Sequence, residues 1–169
     1  MTQPQTARPG APHSDGAPAP STPPSVLVVA NNQHMRRLLR LVLADHGFDR
    51  VTEAGDGGDA IRRIRSSPPD LVIADWVMSP MDGLDLTRYL RRSGHSPARL
   101  VPIILLAATA EGKPLALAME AGASEIVPKP IYVRTLMAAV RDALRKRPGD
   151  RVPEATAGRG TAPPAESAG

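Results

Sequence analysis

Short, continuous apolar runs alternating with stretches of helical periodicity predict an α/β protein built on a doubly wound parallel sheet. Two observations carry that expectation. The runs Val26-Leu27-Val28-Val29, Leu71-Val72-Ile73-Ala74 and Ile103-Ile104-Leu105-Leu106 are apolar at every position, as strands covered on both faces must be. Between them apolar residues recur three and four apart, and Gly or Pro closes the stretches.

Taken in order, Val26 to Val29 is β-branched and suits a central strand. Met35, Leu38, Leu39, Val42 and Leu43 give the first helix, ended by Gly47. A weaker strand covers Phe48 to Glu53, and a helix from Asp56 to Arg65 stops before Pro68-Pro69. Asp70 to Asp75 is the third strand. A loop from Trp76 to Met81 leads to a helix from Asp82 to Arg92, with Asp82 as its N-cap. Ile103 to Leu106, a helix over Pro114 to Ala121 stopped by Gly122, the short strand Glu125 to Val127 and a helix over Ile131 to Arg147 complete five βα units.

Composition places boundaries on this unit. The chain has 169 residues, with Pro 19 and Gly 14. Much of that Pro and Gly falls in 1–24 and 148–169, segments too poor in large apolar side chains to offset the entropy of ordering them, so both are read as disordered tails. Residues 25–147 form the predicted domain. One Trp, one Phe and two Tyr leave an aliphatic core. No cysteine is present, which excludes disulfides and thiolate metal sites and makes a reducing cytoplasm the expected compartment. No apolar stretch approaches the roughly 18 residues of a membrane span, so no membrane role is expected.

The formal charge of +4 raises the question of nucleic acid. The arginines fall in groups on predicted helices (Arg36, Arg37, Arg40; Arg62, Arg63, Arg65; Arg88, Arg91, Arg92) with no interleaved aromatic residues, which reads as solvated helix faces rather than a nucleic-acid surface.

In a doubly wound sheet the functional crevice lies beyond the carboxyl ends of the strands. Those ends carry Ala30-Asn31-Asn32, Asp75, Ala107-Ala108 and Lys129. A carboxylate and an ammonium are therefore expected to meet at one edge, as a carboxylate nucleophile and its cationic partner would.

With these residues in place, the chain resembles the receiver domain of two-component response regulators. The resemblance is carried by Pro69 to Asp75 followed by Trp76-Val77-Met78-Ser79-Pro80-Met81-Asp82-Gly83, and by Val26 to Val29, Met35 to Leu43, Pro102-Ile103-Ile104, Ala121-Gly122-Ala123 and Val127-Pro128-Lys129-Pro130. It implies a flavodoxin-like sheet in the order 2-1-3-4-5 with five helices, the order known for this family. It further implies that Asp75 accepts a phosphoryl group from a histidine kinase or phosphotransfer protein, that Mg²⁺ assists, that Lys129 binds the phosphoryl oxygens and that the Lys129-Pro130 bond is cis. Partner contacts are implied for 113–121, 125–127 and 131–147, with a downstream protein target. Neither the target nor an oligomeric state is indicated.

Four positions depart from the family pattern. Ala30 and Asn31 stand where an acidic pair is usual, leaving at most neutral oxygens from Asn31 or Asn32 for a hard cation. Mg²⁺ affinity is expected to fall steeply, with a direct Asp75–Lys129 ion pair in the metal's place. Ala107 replaces the hydroxyl residue of the fourth strand, with Thr109 two positions on, and Ile126 replaces the aromatic switch residue.

Other candidates read as ordinary structure. His34 and His95 are expected on the surface, Trp76 as a half-buried loop residue, and Met78, Met81, Met119 and Met137 as core filler. An aspartate-nucleophile hydrolase is disfavoured because Val77, not a second carboxylate, stands two residues after Asp75, and the chain is not read as an enzyme. The expected function is a stand-alone response regulator phosphorylated at Asp75, the tail being too short for an output domain. The competing expectation is a pseudo-receiver, an interaction module indifferent to phosphorylation.

Overall fold

The computed structural model describes residues 22–94 and 97–145. The predicted tails lie outside these residues except for 22–24, as does His95. Five strands and five α-helices alternate: β1 (Ser25–Val29), α1 (Gln33–Asp45), β2 (Arg50–Ala54), α2 (Gly57–Ser66), β3 (Leu71–Asp75), α3 (Gly83–Arg91), β4 (Ile103–Ala107), α4 (Gly112–Ala121), β5 (Glu125–Pro128) and α5 (Val133–Arg145), with a 3-10 turn at Pro97–Leu100 before β4. The strands are parallel, in the order β2-β1-β3-β4-β5. This is the flavodoxin-like architecture that the resemblance implied.

Strand side chains alternate between two faces, and each face packs into its own aliphatic layer. Leu27, Val29, Val72, Ala74, Ile103 and Leu105 pack with residues of α2, α3 and α4. Val26, Val28, Leu71, Ile73, Ile104 and Leu106 pack with α1 and α5. All of β3 and β4 is buried, so their runs are uniformly apolar until Asp75.

Several boundaries differ from the sequence reading, each for a local reason. Strand β2 starts at Arg50 because Gly47, with φ +86, and Phe48 close α1: the Gly47 and Phe48 amides donate to the carbonyls of Ala44 and Leu43 at 3.0 and 3.0 Å. That is a Schellman ending, with Phe48 packing back on the α1–α5 layer. Helix α4 starts two residues before Pro114, which its first turn tolerates because the amide there has no helical partner. Helix α5 starts at Val133 rather than Ile131.

Two classes of side chain are corrected. Met78 and Met137 are buried and Met81 packs on the core, but Met119 is 50 % exposed on α4 and fills nothing. The arginines are not all solvated. Arg91 donates to the carbonyls of Gly122, Arg99 and Val101 at 2.9, 2.9 and 3.0 Å, tying α3 to the α4–β5 turn and the 3-10 turn. Arg36 is equally engaged, as shown below. His34 is exposed. Among the described residues no helix is long and apolar enough to cross a membrane.

Helix α2 is capped by Asp56, whose carboxylate accepts the Asp59 amide at 2.8 Å. Asp59 itself sits in the first turn, where a negative charge also suits the helix dipole. Desolvation raises its pKa, but the Arg63 hydrogen bond and the charges of Arg63 and Arg62 outweigh it, so the carboxyl lies below its ordinary range. A folded pKa below the unfolded one stabilises the fold above the unfolded value, and that gain is lost as pH falls through the folded value. Asp59→Asn should therefore cost up to about 1 kcal/mol at neutral pH. In urea unfolding the gap between wild type and variant should close in that acid window; a gap unchanged down to the acid limb would refute the assignment.

Candidate functional site

Asp75 ends β3 opposite Leu106, and the amide of the next residue, Trp76, donates to the Leu106 carbonyl at 2.8 Å. Lys129 follows β5 and is held by its own amide, which donates to Ala107 at 2.7 Å. β4 lies between the two strands, so the backbones stand roughly two strand spacings, about 10 Å, apart. The extended lysine side chain crosses that gap, and Nζ donates to Asp75 Oδ1 at 2.6 Å. The Asp75 side chain is 12 % exposed and that of Lys129 32 %. The Lys129–Pro130 and Ser79–Pro80 bonds are both cis.

The loop after Asp75 is seated by Gly83. Its amide donates to the Trp76 carbonyl at 2.9 Å, and a Cβ there would lie 2.4 Å from the Asp75 carbonyl oxygen and 3.0 Å from Leu105. The pair Asp82-Gly83 thus has two separate jobs. Asp82 caps α3 through the Asp85 amide at 2.7 Å, and Gly83 lets the helix start against the end of β3. One turn on, the buried Thr87 hydroxyl donates back to the Gly83 carbonyl at 2.7 Å.

At the end of β1, Ala30 and Asn31, which the resemblance aligned with an acidic pair, are used structurally. Ala30 is fully buried, and its carbonyl accepts Arg36 Nη1 at 2.6 Å. Asn31 joins three loops: Nδ2 donates to the carbonyls of Gly55 and Ser79 at 2.8 and 3.0 Å, and Oδ1 accepts the Ser79 amide at 2.8 Å. Arg36 Nη1 also reaches the Asn31 carbonyl at 3.1 Å, while Nε pairs with Glu53 at 3.2 Å. Asn32 does not face the site as a ligand. Its Oδ1 caps α1, accepting the amides of His34 and Met35.

The two positions that the resemblance assigned to readout are both packed inward. Ala107 is buried without a hydroxyl, and Ile126 packs against the layer under α2, α3 and α4. Thr109 is exposed and its Oγ1 accepts the Glu111 amide at 3.2 Å, a local turn before α4, so it does not take over from Ala107. Trp76 is half-buried against the same layer.

The sequence reading brought Asp75 and Lys129 to one edge but did not find Arg36, the Asn31 staple, the Gly83 contact or Thr87. Arg36 and Asn31 carry no pattern beyond a polar loop and a helix charge. For Thr87 the spacing of four residues from Gly83 was a faint signal of back-bonding within a helix.

The family description "Response regulator receiver domain" matches residues 26–141. The chain belongs to the response regulator receiver family. A DNA-binding response regulator, MtrA of Mycolicibacterium smegmatis, is 36 % identical over 121 residues, covering 72 % of this chain and 50 % of the relative. The chain thus spans about half the length of such relatives. Among solved structures, the receiver domain of a signal transduction histidine kinase from Syntrophus aciditrophicus aligns at TM-score 0.65 and 27 % identity, covering 78 % of this chain and 95 % of that one. The receiver domain of a sensor histidine kinase from Pseudomonas aeruginosa PAO1, with magnesium coordinated in its active-site cleft, aligns at TM-score 0.65 and 26 % identity, covering 73 % and 99 %.

For this receiver the tightest steric constraint at the site is at Gly83. Gly83→Ala should lower stability by about 1–3 kcal/mol, because the added methyl meets backbone rather than a movable side chain. Equal denaturation midpoints for variant and wild type would show that α3 can shift away from Asp75.

Proposed function

We propose that this receiver acts as a protein-interaction module in two-component signalling whose output does not depend on a Mg²⁺-assisted phosphoryl switch at Asp75. The observation that carries this reading is the donor inventory at the sheet edge. Asp75, the carboxylate that ends β3, is already paired with Lys129 at 2.6 Å, and Glu53 beside the end of β1 is paired with Arg36 at 3.2 Å. Mg²⁺ requires a near-octahedral set of oxygens, usually including one or two carboxylates. Here Ala30 offers no side-chain ligand, Asn31 Oδ1 is committed to the Ser79 amide, and the Ala30 and Asn31 carbonyls face the Arg36 guanidinium. Among the described residues no three His, Cys, Asp or Glu side chains are grouped to hold a metal. The residues present do not fit the ion. With Ala107 and Ile126 at the readout positions, a phosphoryl group on Asp75 would also find neither a hydroxyl to draw in nor a polar aromatic to move.

A second reading, phosphoryl acceptance at Asp75 from a histidine kinase or phosphotransfer protein, is favoured by one feature. Among the described residues only Oδ1 of Asp75 has a hydrogen-bond partner, Lys129, leaving the other oxygen for attack on phosphorus. The two readings separate by incubation with a small acyl phosphate and Mg²⁺, followed by intact-mass measurement. The module reading expects no added phosphoryl mass on wild type or Asp75→Asn. Mass gained by wild type and absent from Asp75→Asn would establish the second reading instead.

The metal inventory gives its own expectation. Asn31→Asp replaces an amide donor by a carboxylate facing the Gly55 and Ser79 carbonyls, so it should cost about 1–3 kcal/mol in EDTA. Combined with Ala30→Asp it should bind Mg²⁺, and millimolar Mg²⁺ should restore part of the lost melting temperature, with no shift in wild type. A Mg²⁺ response in wild type equal to that of the double variant would overturn the donor inventory.

A further inference from the structure

A cleft of about 580 Å³ lies away from Asp75, between α2 and α3. That is within the range of small-molecule sites. Its floor is apolar, with Ile61 and Met81 both packed on the core beneath, and its rim is cationic. Arg65 stands over the Tyr89 ring, 5.8 Å from the centroid, and its guanidinium also bonds the Tyr89 hydroxyl. Arg88 and Arg92 line the same cleft further along α3.

The charge at this rim is not balanced. Neither Arg65 nor Arg92 has a carboxylate within ion-pair distance among the described residues, and Arg88 has only Asp85, at 3.4 Å. Glu120 lines a smaller cleft shared with Arg88 and Arg92 but forms no ion pair with either. Three guanidiniums against one lining carboxylate, over an apolar floor with one ring, favour a ligand that is anionic at one end and flat at the other. Guanidiniums take phosphate oxygens two at a time, and both guanidinium planes and aromatic faces stack on bases.

We propose that the α2–α3 groove is a binding site for a nucleotide, with its base against Arg65 and Tyr89 and its phosphates at Arg88 and Arg92. Such a ligand would address the loop after Asp75 from the side. Met81 lines the groove, belongs to that loop, and would touch a Cβ at Gly57 at 2.8 Å, so it is wedged between the loop and α2. Asn31 holds the same loop at Ser79. A receiver whose Ala107 and Ile126 lack the usual readout groups thereby gains an input that bypasses Asp75. The site stands on its own residues, whether or not Asp75 accepts a phosphoryl group.

Titration calorimetry on the full chain tests this with adenine and guanine nucleoside triphosphates, the corresponding nucleosides and inorganic triphosphate. A nucleotide should bind, with Arg65→Gln and Arg92→Gln each weakening it by about tenfold or more, as loss of a charge-assisted contact predicts. Asp85→Asn, which removes the one acidic lining group, should tighten binding several-fold, an effect a merely structural role would not produce. Asp75→Asn should leave the affinity unchanged. The arginine positions are exposed, and Tyr89→Leu provides an independent variant that removes the ring and keeps all charges. The proposal is overturned by no binding at millimolar nucleotide, by inorganic triphosphate binding as tightly as the nucleotides, or by equal competition from an acidic peptide. It is also overturned if Arg65→Gln, Arg92→Gln and Tyr89→Leu all bind like wild type.

Discussion

The contact between Asp75 and Lys129 organises the functional edge of this protein. It joins the ends of two strands that are not neighbours, across the buried strand β4, and so reports that β3, β4 and β5 are all in register. Asp75 and Thr87 are the buried polar residues of the described chain. A carboxylate in that position requires a partner, since desolvation of an uncompensated charge costs several kcal/mol. Lys129 supplies it, and the remaining features of the edge surround this ion pair.

At the end of β1, Ala30 contributes a methyl group and Asn31 an amide that serves as a brace among three loops. Arg36 covers the two carbonyls at the strand end and is itself balanced by Glu53. These loops are thus joined by hydrogen bonds within the protein. The same logic places Gly83: the phosphoacceptor-type loop must return to α3 against the carbonyl of Asp75, and no side chain fits there.

Away from this edge, Arg65, Arg88 and Arg92 line the groove between α2 and α3 with Asp85 as the one lining carboxylate. The two regions meet at the loop from Trp76 to Asp82, one side of which is fixed by Asn31 and the other lined by Met81. That loop is anchored on the core by Trp76, Met78 and Met81, while Val77 is 77 % exposed.

The sequence by itself determined the element order, the sheet class and the meeting of Asp75 with Lys129. Those follow from the period of apolar residues and from the rule that strand ends share one edge, both of which are local or topological. It also singled out Ala30, Asn31, Ala107 and Ile126 as positions to compare with the family pattern. Only the tertiary structure decided what those residues do. Asn31 is bound to Gly55 and Ser79, 24 and 48 positions away in the chain; Arg36 turned inward while neighbouring Arg37 stayed exposed; and Arg65, Arg88 and Arg92 were brought to one cleft. The reason is physical. An amide or a guanidinium has no preferred partner until the fold fixes which carbonyls lie within about 3 Å of it, and that proximity is set by packing between elements distant in the chain.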